Sequence, residues 1–291
     1  MKKSLMLILV VLALGLFANL GATAAQYNFS YSTGTYTALS GATALSTITS
    51  DDQGWNIALP WNFYFDGTSY ANVRLSQNGW LAFYNGAGPT WATAFGNSIA
   101  GTTILAPAVC PLWDDLYYNT SIPAVNSWKS SGEAPNRTLT FEWKNALWQS
   151  AGPDVNMQVQ LVETSWVVKI VYGTLATASG KSASIGILDG AGGSGRYLSV
   201  TPATTPTASS TAPNDAVAVN TYLTGGLTYT FTPSVTSPNC ILVSPAAAAN
   251  GVDVNTAFTW VNGGWGTTSM SISIGTNVDA DNVVPLTDRG L

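Results

Sequence analysis

An all-β fold, an antiparallel β-sandwich, is what this chain predicts, and three observations carry the prediction. Apolar residues recur at a spacing of two, no segment past residue 25 shows the 3.6-residue period of an amphipathic helix, and the composition favours pleated sheets. From Trp55 to Phe65 every odd position is large and apolar (Trp55, Ile57, Leu59, Trp61, Phe63, Phe65), the alternation of a half-buried strand. Pro60 cannot donate to a ladder, so this strand belongs at a sheet edge or is broken there. The same alternation appears in Leu139, Phe141, Trp143, in Met157, Val159, Leu161, and in Trp166, Val168, Ile170, Tyr172. Shorter candidates are Tyr27 to Tyr31, Ala183 to Leu188, Tyr197 to Val200 and Thr228 to Thr232.

One hairpin can be read to the residue. A two-residue Asn78-Gly79 loop would pair Gln77 with Trp80 and place Leu81 opposite Ser76 and Phe83 opposite Arg74. A three-residue loop, Gln77-Asn78-Gly79, pairs Ser76 with Trp80 and sets Leu75 against Leu81 and Val73 against Phe83. Register follows the buried face, so the three-residue loop is expected, with Gly79 left-handed in a G1 bulge.

The first 25 residues address the protein. Lys2 and Lys3 precede an apolar run, Leu5 to Leu16, and Ala22-Thr23-Ala24 supplies a small-x-small cleavage pattern. The run is short for a membrane span of ~20 residues. A secreted or cell-surface protein is therefore expected, beginning near Ala25 or Gln26, with no membrane insertion after cleavage. Formal charge is −5, and more negative once Lys2 and Lys3 are removed. Scattered cations on an acidic chain argue against nucleic acid as a partner. Charged residues are only 9%, so Ser, Thr, Asn and Gly must carry the polar surface.

Strand-like segments run from residue 26 to 232, and PATTPTASSTAP at 202–213 is read as a long loop within that first domain. Residues 233–239, PSVTSPN, are read as the linker. Residues 240–291 hold strand-like Ala257 to Trp260 and Met270 to Ile274. A complete immunoglobulin-like sandwich takes ~100 residues, so this second unit is expected to be incomplete and the chain truncated.

Several stretches together resemble a known module: YNFSYSTGTYTALSGAT from Tyr27, DDQGWNIALPWNFYFDGTSYANVRLSQNGWLAF from Asp51, ILAPAVCPLWDDL from Ile104, APNRTLTFEWKN from Ala134 and MQVQLVETSWVVKIVYG from Met157. The run is similar to the nidogen-like β module found at the start of secreted multidomain surface proteins of Bacteroidota and related bacteria. The tail, from SPAAAANGVDVNTAFTW to SISIGT, resembles the opening of a fibronectin type III or immunoglobulin-like domain. The resemblance implies an extracellular adhesion or structural role toward a protein or glycan partner, with no catalytic residues.

Asp114 and Asp115, in Pro111-Leu-Trp-Asp-Asp-Leu, are the sharpest acidic feature, suited either to Ca²⁺ through oxygen ligands or to ordinary turn chemistry. Asp51-Asp52 reads as a loop before a strand. Asn277, Asp279, Asp281 and Asp288 match a calcium-loop spacing, but Asn282 stands where the invariant Gly is required, so that match fails. With no histidine, Ser-His-Asp, Cys-His and His-ligated zinc chemistry are excluded. Glu142 and Glu163 are the carboxylates that a glycoside hydrolase would have to pair. Trp91, Trp128 and Trp148 lie in loop-like surroundings and are the candidates for stacking on sugars, the runner-up reading being a carbohydrate-binding module. Cys110 and Cys240, the only cysteines, form a candidate disulfide in an exported chain.

Overall fold

The computed structural model describes residues 26–45, 51–88, 94–118, 125–148, 151–175, 181–217 and 222–234, and beyond them the strand segments 241–244, 259–261, 271–274 and 284–288. Residues 1–25, Trp91 and Cys240 lie outside the described residues. In chain order the strands are β1 (Tyr27–Thr33), β2 (Thr43–Ala44), β3 (Gly54–Phe65), β4 (Thr68–Ser76), β5 (Trp80–Tyr84), β6 (Ala108–Trp113) and β7 (Leu116–Tyr117). They continue as β8 (Val125–Ser131), β9 (Thr138–Trp148), β10 (Ala151–Val162), β11 (Val168–Leu175), β12 (Ser184–Leu188), β13 (Tyr197–Thr201), β14 (Thr207–Ser209) and β15 (Leu227–Pro233). In the tail, β16 (Ile241–Ser244) pairs β17 (Thr259–Val261) and β18 (Ser271–Ile274) pairs β19 (Val284–Asp288), all antiparallel.

Two antiparallel sheets form the sandwich. One is ordered β1-β15-β11-β10-β9-β8-β2, with β7 also on β9; the other is ordered β14-β13-β12-β6-β5-β4-β3. Inward residues of both fill one apolar core, from Phe63, Phe65, Leu75 and Phe83 on one side to Phe141, Trp143, Met157, Val159 and Phe231 on the other. Burying such side chains contributes roughly 1.5–3 kcal/mol each, which is why the period-two pattern is legible.

The strand with Pro60 is both an edge strand and broken: among the described residues β3 borders β4 alone, and its register shifts between Ala58 and Phe63. The hairpin has the expected three-residue loop, with Ser76 opposite Trp80, Leu75 opposite Leu81, Val73 opposite Phe83, and Gly79 at φ +72°.

Other expectations need correction. Residues 202–213 are more than a loop, since β14 within them closes one sheet edge on β13. Trp166 is not in a strand; it sits in the β10–β11 turn at φ +54° and packs edge-on to Phe63 at 5.7 Å. The sequence reading missed β6, an apolar run with Pro111 at its centre. Pro111 is tolerated in a central strand because the ladder with β12 slips there, between the pairs Ser184–Trp113 and Gly186–Cys110.

The outer face of each sheet is crossed by chain. Residues 34–42 leave β1 at one edge of the first sheet and reach β2 at the other, strapping its outer face. Glu142, 1% exposed, holds this strap: its Oε1 accepts from Tyr36 Oη (2.8 Å), Leu39 N (3.0 Å) and Gln158 Nε2 (2.8 Å). Burial and the Glu142 carboxylate push the Tyr36 hydroxyl pKa well up. On the second sheet, the segment before β6 covers a smaller apolar cluster of Trp80, Ile99, Ile104, Cys110 and Trp113. Both indole N–H groups, of Trp80 and Trp113, donate to the Ala94 carbonyl at 2.9 Å.

Asp66, 2% exposed in the β3–β4 turn, is a costlier burial. Among the described residues its Oδ1 has no hydrogen-bond partner, and burial first, then the Asp189 charge, raise its carboxyl to about 7 despite Arg196. The unfolded chain ionises Asp66 in the ordinary range near 4, so between about pH 4 and 7 it binds fewer protons than the folded chain and stability falls as pH rises. Asp66→Asn is therefore expected to stabilise the protein by about 2 kcal/mol at about pH 8 and by little at about pH 4. Urea denaturation at both pH values checks this; an equal effect at both would reject the burial account.

Candidate functional site

The β4–β5 hairpin loop is buried, with Gln77 and Asn78 almost without solvent contact, and two acidic segments close over it. From one side come residues 51–53: Gln77 N donates to the Gln53 carbonyl at 2.8 Å and Gln53 N donates to Gln77 Oε1 at 3.1 Å. Asp52, at φ +57°, accepts from Asn78 Nδ2 at 2.7 Å, and Asp51 Oδ1 accepts from Gln77 Nε2 at 3.3 Å. From the other side comes the turn between β6 and β7, whose Leu116 N donates to Asn78 Oδ1 at 3.0 Å. One asparagine side chain thus ties two remote segments to the end of the sandwich.

This arrangement brings together carboxylates that are distant in sequence. Oxygens of Asp51, Asp52 and Asp115 all lie within 4.8 Å of one another. Burial raises the Asp115 pKa, and the neighbouring Asp51, Asp52 and Asp114 charges raise it further, with Lys181 opposing. Asp114 faces elsewhere: its Oδ2 accepts the indole N–H of Trp148, and burial is the main cause of its raised pKa. Of the two aspartates singled out by sequence, Asp115 joins the cluster and Asp114 braces a core tryptophan. Sequence reasoning set Asp51-Asp52 aside because nothing local marks them; only the hairpin contact puts them beside Asp115. Chemically, three carboxylates this close suit a hard cation with oxygen ligands.

The tryptophan candidates fare differently. Trp148 is fully buried at the end of β9, and Trp128 lies in β8, opposite Phe141, partly buried against the core. Neither is in a loop, because β8 and β9 extend further than their polar sequences suggest. Trp91 is outside the described residues.

The glycosidase pair is not assembled. Glu142 stands opposite Gln158, whereas Glu163 lies five residues further along, about 16 Å at ~3.3 Å per residue, against the ~5–10 Å that glycoside hydrolysis uses. Glu163 is bound to the Arg137 guanidinium at 2.5 and 2.7 Å, which holds its pKa down rather than up. That guanidinium also lies 4.4 Å from the centroid of the Trp61 ring, so the trio fastens the hairpin end. Cys110 is a free, buried thiol in the smaller apolar cluster.

A polar cleft of about 260 Å³ opens beside the strap on the outer face of the first sheet, between Thr37, Ser40, Lys129, Thr140 and Gln160. Lys129 Nζ donates to the Ser40 carbonyl at 2.7 Å and forms part of its wall.

A model of the NIDO-related family matches residues 26–233. No curated protein matches the chain, and no solved structure does.

Proposed function

The chain belongs to the NIDO-related family, and on that premise we propose that it is an exported, non-enzymatic adhesion or structural module of the cell surface or extracellular space. The observation that carries the reading is the family match across the whole sandwich. Two further features support it. The carboxylate pair that hydrolysis would need is taken apart, each member serving to fasten a neighbouring segment. The sandwich is a rigid scaffold of the kind that presents loops to a partner. The partner is an extracellular protein or a glycan. A glycan would not be met by the tryptophans at 128 and 148, and the cleft beside the strap, with its hydroxyls, amides and one ammonium, is the surface suited to sugar hydroxyls. A calcium ion at Asp51, Asp52 and Asp115 would reinforce the end of the sandwich rather than do chemistry.

The test is to secrete the chain from a bacterial host with its own leader, sequence the N-terminus, and apply the product to glycan and matrix-protein arrays with Ca²⁺ or chelator. Release with an N-terminus near Ala25 or Gln26, saturable binding and no polysaccharide turnover support the reading. An uncleaved intracellular product, or turnover of any substrate, overturns it. The calcium arm reads thermal stability: a midpoint raised by Ca²⁺ and insensitive to it in Asp115→Asn supports the ion, and an unchanged midpoint removes it.

A further inference from the structure

The two sheets have four edges, and three are blunted. The β2 edge is two residues long, the β14 edge is three, and β3 carries Pro60 and a register break. Short edges, proline and irregularity are the devices that stop edge-to-edge pairing. The fourth edge has none of them. Among the described residues β1 borders β15 alone, pairs with it through all seven residues without a break, and contains no charge, proline or glycine.

The direction of its backbone groups follows from the ladder. Ser234 N donates to the Gln26 carbonyl at 2.5 Å and Gly34 N to the Gly226 carbonyl at 2.8 Å. Hydrogen-bonded pairs alternate in an antiparallel ladder, so the even positions Asn28, Ser30 and Ser32 bond to β15. Phe29, Tyr31 and Thr33 direct their N–H and C=O groups outward. Pro233, with no N–H to give, stands opposite Tyr27 at a non-bonded position, as this phase requires. On the core side of the same strand, Phe29 is half-buried against Tyr229 and Phe231, and Tyr31 is 41% exposed.

We propose that β1 is a docking edge for a second copy of this chain, the two β1 strands pairing antiparallel about a two-fold axis through Ser30. In that register Phe29 faces Tyr31 of the partner subunit, and the reverse, so the outward backbone groups meet in bonded pairs and the overhanging aromatics become cross-strand neighbours. A two-fold contact sets identical residues against each other, which an acidic chain tolerates only at a neutral patch. The chain segments that form this edge, residues 26–45 and 222–234, contain no charged residue. The other edges being blunted, association stops at the dimer. One strand pair buries less than a standard interface of ~1,600 Å², so the affinity belongs in the micromolar range.

Sedimentation equilibrium of the leader-free chain, Gln26–Leu291, tests this. A monomer–dimer equilibrium in the micromolar range is expected. Ser30 is exposed and sits on the axis, so Ser30→Lys opposes two like charges and should weaken the dimer by at least about tenfold. Mixing Ser30→Lys with Ser30→Asp should restore it as a heterodimer. Thr33→Pro removes an outward N–H from an exposed position at the end of β1, so it should weaken the dimer while moving the thermal midpoint of the monomer little. A chain that stays monomeric throughout, a dimer indifferent to Ser30→Lys and Thr33→Pro, charge variants that fail to re-pair, or oligomers that grow beyond two would each overturn the proposal.

Discussion

Glu142→Ala is expected to cost about 3 kcal/mol of stability and to free the strap at 34–42. The carboxylate is buried and accepts from Tyr36, Leu39 and Gln158, so removing it strands three donors under the strap. The cost stops short of the sum of three charged hydrogen bonds because the strap, once lifted, lets Tyr36 and Leu39 reach water. The Gln158 amide still donates to the Thr37 carbonyl at 2.9 Å, so the strap loosens around one remaining tie. Hydrogen exchange at the Leu39 amide, together with urea denaturation, reads both effects. A variant that keeps the wild-type protection of Leu39 would show that the strap is held by something other than this carboxylate. Tyr36→Phe added to Glu142→Ala should cost almost nothing further, because the hydroxyl has already lost its acceptor.

Gly79→Ala is the second large effect, and Gly86→Ala is its control. Both glycines have φ near +73°, at +72° and +74°, so both substitutions carry the left-handed strain of about 1 kcal/mol. They differ in what surrounds them. A Cβ on Gly86 would meet nothing within 4 Å, whereas one on Gly79 would overlap the backbone carbonyl of Leu112 and press on the Leu116 side chain. Backbone in a central strand cannot swing aside as a side-chain tip can. Gly79→Ala is thus expected to cost at least about 3 kcal/mol and Gly86→Ala about 1. Because Leu116 N bonds to Asn78, the displacement should also part Asp115 from Asp51 and Asp52. Equal losses at the two glycines would mean that the strain, and not the close approach, makes position 79 a glycine.

The sandwich itself was legible in the amino-acid pattern, down to the register of one hairpin, because a buried face repeats every second residue and a one-residue slip would expose it. Val73, Leu75, Leu81 and Phe83 carry that information locally. So do the alternations through Phe141, Val159 and Ile170, and Pro60 announced its own edge. One element buried on both faces was not legible. In β6 every residue is buried, so no alternation remains to be read, and its Pro111 argues against a strand until the bulge is seen. Trp128 and Trp148 were misplaced because polar residues flank Trp128 within β8, and because Lys144 and Asn145 interrupt the alternation of β9 before Trp148. The site depended wholly on tertiary structure. Asp51 and Asp115 are brought together by Asn78, a turn residue whose side chain faces inward at the end of the sandwich. Glu142 alternates correctly as an outward strand residue, yet it is buried because the chain between two opposite edges passes over it. Sequence alone determined which residues face the core; which outward residues remain exposed was decided by where the connections cross, a property of topology that no local period encodes.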